Sequence, residues 1–155
     1  MKSNRINPYL FALSKVTDRL YVSSLWVARN LTKANPEGIT AVLNLTEVDY
    51  QENPDIIYMR MSIEDGQPIS REMLFEILDY LRFIYENGHK ILIHCAAGAS
   101  RSPSIMAAFM HYMKIEHYLD AMDKIVEARP IVDPAWNLVK SMKEILQVWP
   151  YGAFE

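Results

Sequence analysis

Residues 90–112 read KILIHCAAGASRSPSIMAAFMHY, and this stretch decides the fold. Lys90–His94 is an apolar run of strand length, which predicts a short buried strand. A segment of small residues follows, and Ser102-Pro103 predicts an N-cap and first helical position, opening a helix to about Lys114. A strand, a tight loop and a helix in this order indicate a sheet whose strands are mainly parallel.

The rest of the chain repeats this alternation. Further strands are predicted within residues 18–24, 39–45 and 56–61, where β-formers or apolar residues cluster between turn signals. Apolar spacings of three and four predict a helix over 70–87, and further helices are predicted over 24–35, 118–128 and 134–148 from cap and stop signals such as Ser24, Asn35-Pro36 and Asp133-Pro134. The predicted fold class is therefore α/β, with a central, mainly parallel twisted sheet flanked by helices.

Length and composition restrict the function. A chain of 155 residues predicts a single domain over 1–155, with a core from about 14 to 146. The net charge of −3 disfavours nucleic-acid partners, because no excess of cations can displace counterions from phosphates. The apolar patch Tyr9–Leu13 is too short for a membrane segment. We expect a monomer without metal or cofactor.

Cys95 is the only cysteine, so neither an internal disulfide nor a cysteine-rich zinc site can form. A free thiol suits the reducing cytoplasm, with access to the nucleus. The thiol is either an inert core residue or a reactive group. The residues after it favour reactivity, because a short loop entering a helix turns backbone N–H groups toward a concavity that accepts an oxyanion.

The loop residues fit such an anion site. Their side chains are too small to fill the concavity: Ala96, Ala97, Gly98, Ala99 and Ser100. Arg101 adds a guanidinium whose paired donors match two phosphate oxygens. The helix dipole, the amides and Arg101 should all favour the Cys95 thiolate, a nucleophile directed at the phosphorus of a bound ester.

HCAAGASRS is similar to the H-C-x-x-G-x-x-R-S/T signature of the cysteine-dependent protein tyrosine phosphatases. The segments VTDRLYVSSLWVARN, ITAVLNL and ARPIVDP look like the dual-specificity branch of that family. The resemblance runs from about Ser14 to Leu146 and implies the protein-tyrosine-phosphatase-like fold. It also implies a protein phosphatase that acts on phosphotyrosine and on phosphoserine or phosphothreonine, with a phosphorylated protein as its partner.

The resemblance implies roles for individual residues. Cys95 would form a phosphocysteine, while Arg101 and the amides of residues 96–101 would hold the phosphoryl oxygens. Ser102 would donate to the sulfur as it leaves. His94 would orient the loop and help keep the thiolate form, and Asn44 would brace the loop from behind.

The reaction also requires an acid to protonate the leaving oxygen. The family places an aspartate about thirty residues before the cysteine, and Asp65 fits, in the loop SIEDGQP of residues 62–68. Glu64 is the neighbouring competitor. A plain turn role for Asp65 also stays open at this point, since aspartate is common in such loops.

Two alternative functions remain open from the sequence. The same chemistry could act on a phosphoinositide, an RNA 5′-phosphate or a glycan. The uncharged loop AAGAS disfavours such highly anionic substrates, unless Arg60, Arg71 and Arg129 converge on the site. The second alternative is a non-catalytic adaptor that binds phosphoproteins, although such relatives usually lack the cysteine or the arginine.

Overall fold

The computed structural model describes residues 6–148; residues 1–5 and 149–155 of the predicted domain lie outside the described part. The chain forms one five-stranded sheet in the order β1-β2-β5-β3-β4. The strands are β1 Ser14–Thr17, β2 Leu20–Ser23, β3 Ala41–Asn44, β4 Ile57–Arg60 and β5 Ile91–His94. The helices are α1 Leu25–Arg29, α2 Arg71–Glu86, α3 Arg101–Tyr112, α4 Tyr118–Ala128 and α5 Trp136–Leu146. A short 3₁₀ helix, Pro8–Phe11, precedes β1.

The three pairings among β2, β3, β4 and β5 are parallel, and only β1 runs antiparallel, against β2. The predicted α/β class with a mainly parallel sheet is therefore confirmed. Strand β1 was not predicted, because its alternation of buried and exposed residues spans only four positions and carries little periodic signal.

Both faces of the sheet are covered, which explains the near-continuous apolar runs in the sequence. Successive side chains of a strand point to opposite faces, so each central strand contributes to two clusters. The larger cluster includes Leu20, Val22, Leu43, Ile91 and Ile93 and packs with residues of the long helices. The smaller one, on the other face, includes Tyr21, Val42, Leu92, Ala28 and Leu31.

Several helix ends differ from the predictions. α1 ends at Arg29 rather than near residue 35, because Asn35 bonds both backbone groups of Ile39 and so turns the chain toward β3. α3 begins at Arg101 with Ser100 in the N-cap position, two residues before the predicted Ser102 cap. α5 begins at Trp136 rather than Pro134. α4 matches its predicted bounds, and Ser70 caps α2 by accepting from Met73 N at 3.1 Å.

The register of the sheet aligns the carboxyl ends of its parallel strands. Ser23 and Asn44 both lie opposite His94, and Asn44 lies opposite Arg60. The segments that follow these strands therefore meet at one edge, with the loop after β5 between its neighbours. This edge is where parallel α/β sheets bind ligands.

None of the helices within residues 6–148 combines the length and apolar character that crossing a bilayer requires.

Candidate active site

The loop of residues 95–101, from here on the 95–101 loop, joins β5 to α3 at the carboxyl edge of the sheet. Each of its carbonyl groups from residue 95 to residue 100 accepts a hydrogen bond from outside the loop. The donors, in chain order of the acceptors, are His94 Nδ1, Leu25 N, Arg129 Nη2, Arg129 Nε, Asp133 N, and Ser104 through both N and Oγ.

The N–H groups of residues 96–101 find no acceptor among residues 6–148. In each peptide unit the N–H lies opposite the carbonyl, so the outward carbonyls turn these N–H groups toward the interior of the loop. Gly98 supports this reversal with a φ of 71°. Successive inward N–H groups form an anion-binding nest.

Gly98 is the position where the loop tolerates no side chain. A Cβ atom there would lie 2.6 Å from the Ser23 carbonyl oxygen and 2.8 Å from Arg129 Nη2. We expect Gly98→Ala to destabilise the fold by about 1–3 kcal/mol, through the strained φ and the backbone contact. Urea unfolding measures this loss. Gly88→Ala is the control, because Gly88 also has a positive φ, 86°, but open space around its Cβ, so this variant reports the cost of backbone strain without a steric contact. Equal losses of unfolding free energy in the two variants would contradict the prediction.

Cys95 is 2% exposed, and its sulfur lies at the start of α3. Ser102 Oγ is 3.2 Å from it, and Ser102 N donates to it at 3.4 Å. Ser100 occupies the N-cap position but offers no side-chain cap, because its Oγ accepts from Ala135 N. The sulfur thus takes the place of the capping oxygen, where the helix dipole favours a negative charge.

Arg101 connects the 95–101 loop to the 62–68 loop. Its side chain is 12% exposed, its Nη1 donates to the Ile63 carbonyl at 3.3 Å, and its Nε lies 3.8 Å from Asp65 Oδ1. The buried Nε has no hydrogen-bond partner among the described residues 6–148. Glu64 lies among a different set of side chains, which includes Gln67, Pro68, Ile69, Met73 and Leu138. Of the two candidate acids, Asp65 is therefore the one the structure places beside Arg101.

Comparison with known proteins identifies this arrangement. The family model described as "Dual specificity phosphatase, catalytic domain" matches residues 20–147. The chain belongs to the dual specificity phosphatase family. It is 32% identical over 130 residues to dual specificity protein phosphatase 18 from Homo sapiens, covering 82% of this chain and 69% of that relative. It is 30% identical over 139 residues to protein-tyrosine-phosphatase MKP1 from Arabidopsis thaliana, covering 85% of this chain but only 18% of the plant protein.

A solved structure supports the fold. The crystal structure of DUSP15 superposes with a TM-score of 0.78 at 24% identity, covering 88% of each chain. The resemblance stated from the signature HCAAGASRS is thereby confirmed. The protein is a phosphatase, a hydrolase of phosphoric monoesters, and the residues described above are its candidate active site.

Arg129 is the residue of this phosphatase that sequence reasoning misplaced. It was grouped with Arg60 and Arg71 as a cation that could converge on the substrate, yet it is 0% exposed and lies behind the 95–101 loop. Besides the Ala97 and Gly98 carbonyls, both at 2.8 Å, it binds Ala12 O at 2.9 Å and Ser14 Oγ at 3.0 Å.

The charge of Arg129 also acts on the site. Burial lowers the pKa of its guanidinium, and the negative charge available at Cys95 opposes that shift. The other two arginines do not converge on the loop either. Arg60 pairs with Asp49, and Arg71 stacks over the Phe75 ring at 4.8 Å. One feature of the sequence is consistent with the burial of Arg129: its immediate neighbours, Ala128 and Pro130, carry no charge.

Replacing Arg129 should damage stability and turnover together. Arg129→Met leaves buried carbonyls without donors, and we expect a loss of about 3 kcal/mol or more in the free energy of unfolding. Arg129→Lys keeps the charge but cannot span the same acceptors with one ammonium group, so we expect an intermediate loss and a kcat reduced about 10-fold. Urea unfolding and aryl phosphate hydrolysis measure both effects. Wild-type values in Arg129→Met would contradict this role.

His94 contacts the start of the 95–101 loop as a neutral ring. Burial lowers its pKa to about 4, and the charge of Arg101 acts in the same direction. A carbonyl only accepts, so the proton is on Nδ1, which donates to Cys95 O at 3.2 Å, and Nε2 accepts from Tyr50 OH at 2.7 Å. A neutral ring gives the thiolate no positive charge. The predicted orienting contact is therefore present, whereas support of the thiolate by charge is absent.

The lowered pKa of His94 makes stability depend on pH. Between about pH 6.5 and 4 the unfolded chain binds a proton at this residue that the folded chain does not, so stability falls as pH falls through that window. The full effect is about 3 kcal/mol below pH 4 and vanishes above 6.5. Urea unfolding at a series of pH values should show a smaller decline in His94→Asn than in wild type. An identical decline in the two proteins would contradict the assignment to His94. Burial also lowers the pKa of His111, but this residue is present in both proteins and therefore contributes equally to both declines.

Asn44 has different partners from those expected. Its Oδ1 accepts from Thr46 N at 2.8 Å and Thr46 Oγ1 at 2.7 Å, and its Nδ2 donates to Val48 O at 2.9 Å. These bonds shape the segment after β3 rather than the 95–101 loop. That segment carries Tyr50, which contacts His94, so Asn44 supports His94 only indirectly.

No group of three or more histidine, cysteine, aspartate or glutamate side chains within residues 6–148 is arranged to hold a metal ion.

Proposed function

We propose that this phosphatase hydrolyses phosphotyrosine and phosphoserine or phosphothreonine esters of proteins through a phosphocysteine intermediate. One observation carries the proposal: the carbonyls of residues 95–100 are all held outward around the Cys95 sulfur. Six inward N–H groups and the Arg101 guanidinium then match the oxygens of a phosphoryl group, whose charge they stabilise in the transition state.

The chemistry proceeds in two steps. The Cys95 thiolate attacks phosphorus, a sulfur–phosphorus bond forms, the ester bond breaks, and Asp65 gives its proton to the departing oxygen. Water then attacks the phosphocysteine while Asp65 takes a proton from it, releasing phosphate and the thiolate. Ser102, 3.2 Å from the sulfur, donates to the thiolate as it leaves.

The named relatives support proteins as the substrate class, because they are protein-tyrosine and dual specificity protein phosphatases. The loop residues AAGAS bear no charge, which favours a single phosphate group over a highly anionic ligand. The net charge of −3 opposes nucleic-acid binding. A working thiolate needs reducing surroundings, so we place the activity in the cytoplasm, with access to the nucleus.

A panel of substrates tests the proposal. Phosphate release is measured from one peptide sequence phosphorylated on tyrosine, serine or threonine, and from phosphoinositide vesicles and a 5′-phosphorylated RNA. We expect kcat/KM for the phosphotyrosine peptide to exceed those for the lipid and the RNA by at least 10-fold, with measurable release from the other two peptides. Binding of phosphopeptides without turnover would instead indicate an adaptor.

A further inference from the structure

A groove of about 520 Å³ lies beside the 95–101 loop, between α1 and the segment 48–51. Both walls are attached to the active site. On one side, Leu25 N donates to the Ala96 carbonyl at 2.9 Å. On the other, Tyr50 OH bonds His94 at 2.7 Å. The groove is therefore within reach of a polypeptide whose phosphorylated residue enters the 95–101 loop.

The groove displays an aromatic surface to solvent. Trp26 is 51% exposed although it is on the first turn of α1, and Val48 on the opposite wall is 45% exposed. Phe11 holds the indole in an edge-to-face contact with ring centroids 4.9 Å apart. A fixed, exposed aromatic ring offers contact area with little loss of side-chain entropy on binding.

The same wall carries unmatched positive charge. Arg29 and Lys33 line the groove, and neither has a carboxylate within 4 Å among residues 6–148. Asp49 is the acidic residue of the lining, and Arg60 already pairs with it. Arg29 and Lys33 therefore place two positive charges on the wall formed by α1 and the residues after it, where they are available to an acidic ligand.

We propose that this groove binds the residues flanking the phosphorylated side chain of a protein substrate, with an acidic side chain against Arg29 and Lys33 and an apolar one against Trp26. The inference rests on the proposed function and adds sequence preference to it. Arg29 lies four residues, or about 6 Å along α1, beyond the Leu25 contact with the loop. At this distance Arg29 can contact the side chain of a neighbouring residue in an extended peptide more readily than it can contact the phosphorylated residue itself.

Charge reversal tests the proposal. Wild type and the double variant Arg29→Glu/Lys33→Glu are compared on two phosphotyrosine peptides, one with glutamates flanking the phosphotyrosine on both sides and one with glutamines there. We expect wild type to prefer the acidic peptide by about 10-fold in kcat/KM, because the acidic peptide can form two exposed ion pairs, each of which has a modest effect. The double variant should lose this preference through KM, with kcat unchanged.

A matched variant controls for long-range electrostatics. Lys140→Glu/Lys143→Glu makes the same change of net charge on a face of α5 that lines a separate pocket with Trp136, and it should keep the preference. Trp26→Ala should raise KM for a peptide with a flanking leucine more than for its alanine counterpart.

Hydrolysis of p-nitrophenyl phosphate, which has no flanking residues, separates the two hypotheses. It should be equal in wild type and in the groove variants. If wild type hydrolyses it but treats both peptides alike, or if the preference survives in the Arg29/Lys33 variant, the groove proposal is wrong and the proposed function stands. A dependence on Arg29 and Lys33 seen only with phosphoinositide vesicles would also overturn it. Failure of wild type to hydrolyse any substrate would overturn the proposed function itself.

Discussion

Cys95→Ser should lower the hydrolysis of p-nitrophenyl phosphate by at least about 10⁴-fold, the largest effect expected for any single change in this protein. Serine keeps the approximate size of the side chain but replaces the proposed nucleophile, a sulfur that contacts Ser102 Oγ and accepts from Ser102 N at the start of α3. A hydroxyl in the same place stays protonated near neutral pH, so the attack on phosphorus is lost. Steady-state release of p-nitrophenol measures the effect.

The fold should survive this substitution, and binding should survive with it. The amides of residues 96–101 and the Arg101 guanidinium are unchanged, so we expect the variant to bind a phosphotyrosine peptide without turning it over. Isothermal titration together with urea unfolding checks both points. Ser104→Ala, which removes one donor to the Ser100 carbonyl but leaves the sulfur intact, is the matched control. Turnover by Cys95→Ser above 1% of wild type would contradict a cysteine nucleophile.

Asp65→Asn should produce the second largest effect, a loss of about 10²–10⁴ in kcat/KM, because it removes the proton donor for the leaving oxygen. The loss should be greatest for an alkyl phosphate such as phosphoserine and smallest for p-nitrophenyl phosphate, whose leaving group needs little help from an acid. In a pH–rate profile the basic limb of wild type should disappear in the variant, since that limb reports deprotonation of the acid.

Glu64→Gln provides the control, because it makes the same chemical change at the adjacent position. Glu64 lines a pocket with Gln67, Pro68 and Met73, and the Arg101 ion pair is with Asp65, so we expect both limbs of the profile and the kcat/KM to remain close to wild type. Loss of the basic limb in Glu64→Gln, with Asp65→Asn retaining it, would transfer the acid role to Glu64.

Some features of the candidate site are predicted by the local sequence, whereas others depend on tertiary contacts. The sequence from His94 to Ser102 specifies a loop of small residues between a strand and a helix, and such a loop has few ways to satisfy its own backbone. The resemblance to the phosphatase signature implied that Ser102 contacts the Cys95 sulfur, and Ser102 Oγ lies 3.2 Å from it. The correct start of α3 did not follow from the sequence, because the sulfur accepts the hydrogen bond that a capping side chain would otherwise accept.

The amino-acid sequence by itself determined the α/β class, the 95–101 loop and the family, because apolar runs, helical spacings and the signature HCAAGASRS are all encoded within short segments. Tertiary structure alone decided that Arg129 supports the loop from behind, that Tyr50 holds His94, and that Asp65 rather than Glu64 lies beside Arg101. Those partners are 31 or more positions apart along the chain in every case. Contacts at such separations depend on the strand order and on which way each loop turns, and no local pattern records either.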